Sequence, residues 1–111
     1  MKLTEKFTIE IPEKKIIGYV LSMSRKLGSH KANYFKSYGY TSKNSFEFIQ
    51  AIKNLVDENE IVSETQNKFG VSYVVDGKIK SPSKKMIVLR TAWIVEKKSK
   101  VARLITVFPK K

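Results

Sequence analysis

Near residue 60 the spacing of apolar residues changes from a helical repeat to alternation, and that change restricts the fold of this 111-residue chain more than any other feature. Upstream, Phe48, Ile49, Ile52, Leu55 and Val56 form a stripe that predicts a core-facing helix from about Ser45 to Glu58. Asn44 stands at its N-cap, and Glu47 follows at the capping-box position. A shorter helix is expected from about His30 to Tyr38, opened by Ser29 and closed by Gly39. Downstream, Glu60–Thr65 is a candidate strand, Val71, Tyr73 and Val75 alternate with Ser72, Val74 and Asp76, and Met86–Glu96 and Ala102–Phe108 are the strongest strands by β-branched and aromatic content. Asn67-Lys68-Phe69-Gly70, Ser81-Pro82-Ser83 and Lys97-Lys98-Ser99-Lys100 supply the connections, and Asp76-Gly77 is expected to bulge or end its strand. Residues 7–11 alternate as a short strand that Pro12 interrupts, and a short helical turn is expected within the apolar stretch 14–22. Helices grouped before strands mean α+β. The expected architecture is two N-terminal helices packed on a roughly four-stranded antiparallel sheet. Residues 1–111 form one domain, with residues 1–13 open to reading as a short N-terminal extension.

Charge adds a constraint of its own. The chain carries 22 Lys/Arg against 10 Asp/Glu, a formal net charge of +12. Residues 1–77 hold eleven bases and nine acids, whereas residues 78–111 hold eleven bases and a single acid, Glu96. That asymmetry points to a polyanionic partner, and consecutive antiparallel strands are expected to set the cations side by side on one part of the sheet. The other reading is a sheet edge blunted by lysines. With no cysteine, disulfides, thiolate nucleophiles and cysteine-ligated metals are excluded, and one histidine excludes a His-rich metal site. No apolar run is long enough for a membrane span, and residues 1–6 lack the apolar core of a signal peptide.

The residues that could carry chemistry are few. There is no phosphate-binding glycine loop, and the acids are scattered, so a two-metal nuclease is not expected. Metal-free RNA cleavage needs less: a base for the ribose 2′-OH, an acid for the leaving 5′-oxygen, and donors for the charge that grows on phosphorus oxygens. His30, in Gly28-Ser29-His30-Lys31, falls at the start of the first expected helix. The helix dipole and Lys31 both favour the neutral imidazole there, and free N–H groups could hold a phosphate. An ordinary histidine near a cap fits the same pattern.

Arg90 lies inside an otherwise apolar strand, on the face opposite Thr91 and Trp93. It could grip a phosphate bidentately, or pair with Glu96 or an acid on a neighbouring strand. Trp93 reads as core. The Thr106 hydroxyl could donate to a phosphate oxygen or simply favour the strand. Tyr34 and Tyr38 read as packing residues.

Three segments together resemble a small bacterial domain family of unknown function: Gly28-Ser29-His30-Lys31-Ala32-Asn33-Tyr34-Phe35, Arg90-Thr91-Ala92-Trp93-Ile94 and Leu104-Ile105-Thr106-Val107-Phe108-Pro109. The corresponding patterns are G-x-H-K-A-x-F-F, R-T-x-W-x-I and L-V-T-A-Y-P. The chain departs at Val107-Phe108, where Ala-Tyr is usual. Pattern and element order are similar to the ribonuclease superfamily that groups barnase, EndoU, colicin D and RelE. The resemblance implies a metal-independent endoribonuclease needing no cofactor, of the kind used as bacterial toxin effectors. It implies catalytic roles for His30, Arg90 and Thr106, with His30 as base or acid. Lys31, Lys97, Lys98, Lys100 and Arg103 would bind phosphate or RNA. An acidic immunity or antitoxin protein is the expected partner, and the cytoplasm the site of action, with secretion only as part of a longer toxin. Two alternatives stay open: a non-catalytic basic nucleic-acid-binding module, and an interaction domain for an acidic protein.

Overall fold

The computed structural model describes residues 1–15, 39–40 and 42–110. The expected helix at about His30–Tyr38, Phe35 within it, and most of the 14–22 stretch lie outside the described residues. The described elements are α1 (Leu3–Lys6), β1 (Thr8–Glu10), α2 (Glu13–Lys15), α3 (Ser45–Glu58), β2 (Ile61–Asn67), β3 (Gly70–Lys80), β4 (Met86–Glu96) and β5 (Val101–Pro109). They form an α+β structure around one sheet.

That sheet has five strands in the order β1-β5-β4-β3-β2. β2 to β5 pair antiparallel in sequence, as the alternation predicts. The four-strand antiparallel expectation is corrected at one edge, where β1 joins parallel to β5, Thr8 opposite Val101 and Glu10 opposite Arg103. The short strand itself follows from the alternation at residues 7–11, but its partner lies at the far end of the chain. The second correction is at Asp76-Gly77, where β3 runs on without a break to Lys80. Gly77 is needed there for clearance, since a Cβ would stand 2.8 Å from Leu55 Cγ and 2.5 Å from Asn59 Nδ2 at the end of α3.

α3 begins and ends where its stripe predicts, and Phe48, Ile52, Leu55 and Val56 are all buried. They join Val75, Ile79, Leu89, Trp93, Leu104 and Val107 of the sheet in one core. Leu3 of α1 is fully buried in the same cluster. Asn44 does occupy the N-cap, but it makes no side-chain cap bond. Its amide instead donates to the Gly39 carbonyl at 2.8 Å. At the other end of α3, Asn59 Nδ2 donates to Leu55 O at 2.8 Å, satisfying one of the carbonyls a helix end leaves open.

The β2–β3 hairpin turn is closed by a side chain. Asn67 Oδ1 accepts from the backbone N–H groups of Phe69 and Gly70 at 2.8 and 3.1 Å. Gly70 has φ +152°, and a Cβ there would collide with the Val95 carbonyl on β4. Its bare backbone therefore lets β3 start flush against the end of β4.

Candidate functional site

Alternation along β3, β4 and β5 sorts the side chains between two faces. Thr91 and Trp93 turn inward under α3, as the sequence predicts. Thr91 Oγ1 donates to the Val75 carbonyl at 2.7 Å and accepts from Trp93 Nε1 at 2.8 Å, which satisfies both polar groups in the core. Arg90 turns to the opposite face.

Register places Asp76, Arg90 and Phe108 in one row across that face. The next row toward the β4–β5 hairpin is Val74, Ala92 and Thr106. Arg90 and Thr106 are therefore diagonal neighbours on adjacent strands, about 7–8 Å apart in a regular ladder. On the other side, Lys78 stands opposite Val88, and Lys110 N donates to the Val88 carbonyl.

Of the two readings open for Arg90, the structure contains the ion pair with an acid on a neighbouring strand. Arg90 Nε and Nη2 donate to Asp76 Oδ1 and Oδ2, both at 2.9 Å. Lys110 Nζ meets Asp76 Oδ2 at 3.0 Å. The Asp76 side chain is only 11% exposed, whereas Arg90 keeps 37% of its side chain in contact with solvent. Asp76 thus braces the guanidinium in a fixed plane and leaves its outer edge open. The hydrogen bond from Arg90 holds the Asp76 carboxyl below its ordinary range, with Lys110 adding to the effect against a smaller cost of burial.

This brace should make stability depend on pH in a defined direction. A depressed carboxylate contributes fully above its ordinary value near 3.8, and the contribution is lost as pH falls through the lowered value. Thermal melts of the wild type and Asp76→Asn should therefore differ most above about pH 4 and converge below it. Curves that stay parallel to pH 2 would remove the brace.

The remaining predicted site residues are spread out. Arg103 Nη2 binds Glu96 Oε1 at 2.6 Å, on an exposed part of the sheet. Lys97, Lys98 and Lys100 occupy the β4–β5 hairpin, about 20 Å along β4 from Arg90. His30 and Lys31 lie outside the described residues.

The expectation that the C-terminal cations cluster on one part of the sheet is corrected. Successive antiparallel hairpins turn at opposite ends, so Lys84 and Lys85 lie at one end of β4 and Lys97–Lys100 at the other. Asp76, Lys78 and Lys110 were not singled out from sequence, although Asp76, Lys78 and Lys80 share a face by simple alternation. Among the described residues, no three His, Cys, Asp or Glu side chains gather as a metal site, and no helix is long and apolar enough to cross a membrane.

The fold has a solved counterpart. A chain of a contact-dependent growth inhibition toxin–immunity protein complex from Klebsiella pneumoniae 342 superimposes with a TM-score of 0.70 at 20% sequence identity. The likeness covers 90% of this chain and 98% of that one. A comparison with curated proteins of assigned role finds no match. A family match extends over residues 2–111, covering every strand and the Asp76–Arg90–Lys110 network, and the chain belongs to the family described as Domain of unknown function (DUF6883).

Proposed function

We propose that this domain is a metal-independent endoribonuclease of the toxin-effector type, restrained by an acidic immunity or antitoxin protein. The observation that carries the reading is the placement of Arg90, braced by Asp76, beside Thr106 on the sheet face away from α3. An arginine fixed in plane with one edge exposed is suited to a phosphoryl group, and a neighbouring hydroxyl supplies a second donor. Lys78 and Lys110 extend the positive field on one side of it.

Charge supports the toxin role over the immunity role. The structural counterpart comes from a complex of a toxin with its immunity protein, and a net charge of +12 suits the component that meets RNA. In this reading His30 moves the proton of the 2′-OH or of the leaving 5′-oxygen. Arg90, Thr106 and Lys31 stabilise the charge on phosphorus oxygens, and Arg103 with Lys97, Lys98 and Lys100 holds the flanking backbone. The nucleophile belongs to the substrate, so the protein needs to supply only proton transfer and electrostatics. A target in RNA places the site of action in the cytoplasm.

The test is incubation of purified protein with a labelled RNA in the presence of EDTA. Cleavage is expected to persist and to leave 2′,3′-cyclic phosphate ends. A strict magnesium requirement, or 5′-phosphate ends, would overturn the mechanism. Tight binding without any cleavage would favour the second reading, a nucleic-acid-binding module. That reading draws on the pairing of both Arg90 and Arg103 with carboxylates.

A further inference from the structure

We propose that the end of the sheet formed by Lys80, Lys84 and Lys85 is a second phosphate-binding site, beyond the Lys78 and Lys110 that flank Arg90. A single RNA strand would run from it across the Arg90 face to the Lys97–Lys100 hairpin. The proposal rests on the ribonuclease reading for its substrate and adds a substrate length.

The first argument is spacing. The two basic ends are separated by β4, whose eleven residues span about 33 Å at strand rise. Stacked nucleotides advance about 3.4 Å each, so a strand touching both ends is about ten nucleotides long. A substrate of two or three nucleotides could reach only one of them.

The second argument concerns the two loops. Lys84 has φ +69° and Lys98 has φ +65°, the left-handed region that glycine or asparagine occupies at lower cost. Both loops are also closed by hydrogen bonds. Lys84 N donates to Ser81 O at 2.8 Å, and buried Ser81 binds the Lys85 carbonyl through its N–H and its hydroxyl, each at 2.9 Å. Ser99 N donates to Glu96 O at 3.0 Å, and Ser99 Oγ accepts from Val101 N at 3.0 Å. At each tip a lysine thus stands in a backbone conformation that does not favour it, in a loop held in shape. Turn formation alone does not call for lysine at either position.

The third argument is what stands beside each cluster. Met86, 59% exposed, is opposite Lys80, and Phe69, 68% exposed, receives a bond from Lys97 N at its carbonyl, 3.2 Å away. Cations interleaved with exposed apolar side chains suit a strand whose phosphates and bases are both gripped.

The experiment uses 2′-O-methyl oligonucleotides of 4, 8, 12 and 20 residues, which lack the nucleophile, alongside cleavable RNA of the same lengths. Affinity should climb between 4 and 12 residues and level off beyond. Lys84→Gly and Lys98→Gly should each weaken twelve-mer binding several-fold while raising the melting temperature, because each relieves a left-handed lysine. Phe69→Ala should weaken it roughly five-fold or more.

Equal affinity for four-mer and twelve-mer would overturn the track, as would glycine variants that bind normally or lose stability. If the four-mer is cleaved as fast as the twelve-mer, the ribonuclease reading stands and the track falls. Length-dependent binding without cleavage at any length would keep the track and remove the ribonuclease. Polyglutamate binding as tightly as the twelve-mer would assign both ends to an acidic protein and overturn the proposal.

Discussion

His30→Ala is expected to lower RNA turnover by about 10²–10⁴-fold, the usual worth of a general acid–base group. The chain holds one histidine, and no cysteine could substitute as a proton carrier near neutrality. The same variant should bind a 2′-O-methyl twelve-mer almost as tightly as the wild type, because the proposed contact is made by lysines and arginines. It should also melt within a few degrees of the wild type. The comparison therefore separates loss of chemistry from loss of fold or of binding. Full activity in His30→Ala would remove the assigned acid–base group, and with it the mechanism proposed here.

Trp93→Ala is expected to cost about 3–5 kcal/mol, the range for deleting a large buried aromatic side chain. That is a large share of the about 5–15 kcal/mol that separates a folded domain from its unfolded chain. Trp93 is fully buried, and its indole N–H is bound by Thr91, which in turn is bound to Val75. The substitution leaves both a cavity and a hydroxyl without its donor. Thr91→Val is the informative partner variant, since it keeps the indole but removes its acceptor, at a cost of about 1–3 kcal/mol. Urea unfolding of the two single variants and the double variant should show a combined loss smaller than the sum, because they share one hydrogen bond. Strict additivity would mean that the Thr91–Trp93 bond carries no weight.

Local sequence is enough to read α3 and β4, because five apolar positions at helical spacing mark the one and a nearly continuous apolar run rich in β-branched residues from Met86 to Val95 marks the other. The direction of Arg90 followed from strand alternation, with Thr91 and Trp93 marking the inner face. Its partner did not follow. Glu96 and a neighbouring-strand acid were both compatible with the sequence, and only the β3–β4 register sets Asp76 opposite Arg90 while Glu96 binds Arg103. Pairings of this kind depend on how the Ser81–Lys85 turn sets the register, which no window of sequence contains. The Asn44 side chain shows the same limit, since whether its amide caps α3 or reaches Gly39 depends on where the preceding chain passes. The division of the lysines between two ends of the sheet was hidden too, because a charge count has no direction in space.

The parallel pairing of β1 with β5 has a consequence for the order of events during synthesis. Residues 8–10 cannot be seated until residues 101–103 have left the ribosome, roughly 5–20 s later at common elongation rates. The late strand is also the one that brings Thr106 beside Arg90 and Lys110 beside Asp76. While the chain is still being made, the brace lacks Lys110 and the face that joins Arg90 to Thr106 is unbuilt. A stalled or truncated product ending before Val101 would lack both the closing strand and half of the site. The topology thus delays assembly of this face until residues 101–110 have emerged, so that under the proposed ribonuclease function the nascent chain would have little time to act on the RNA around it.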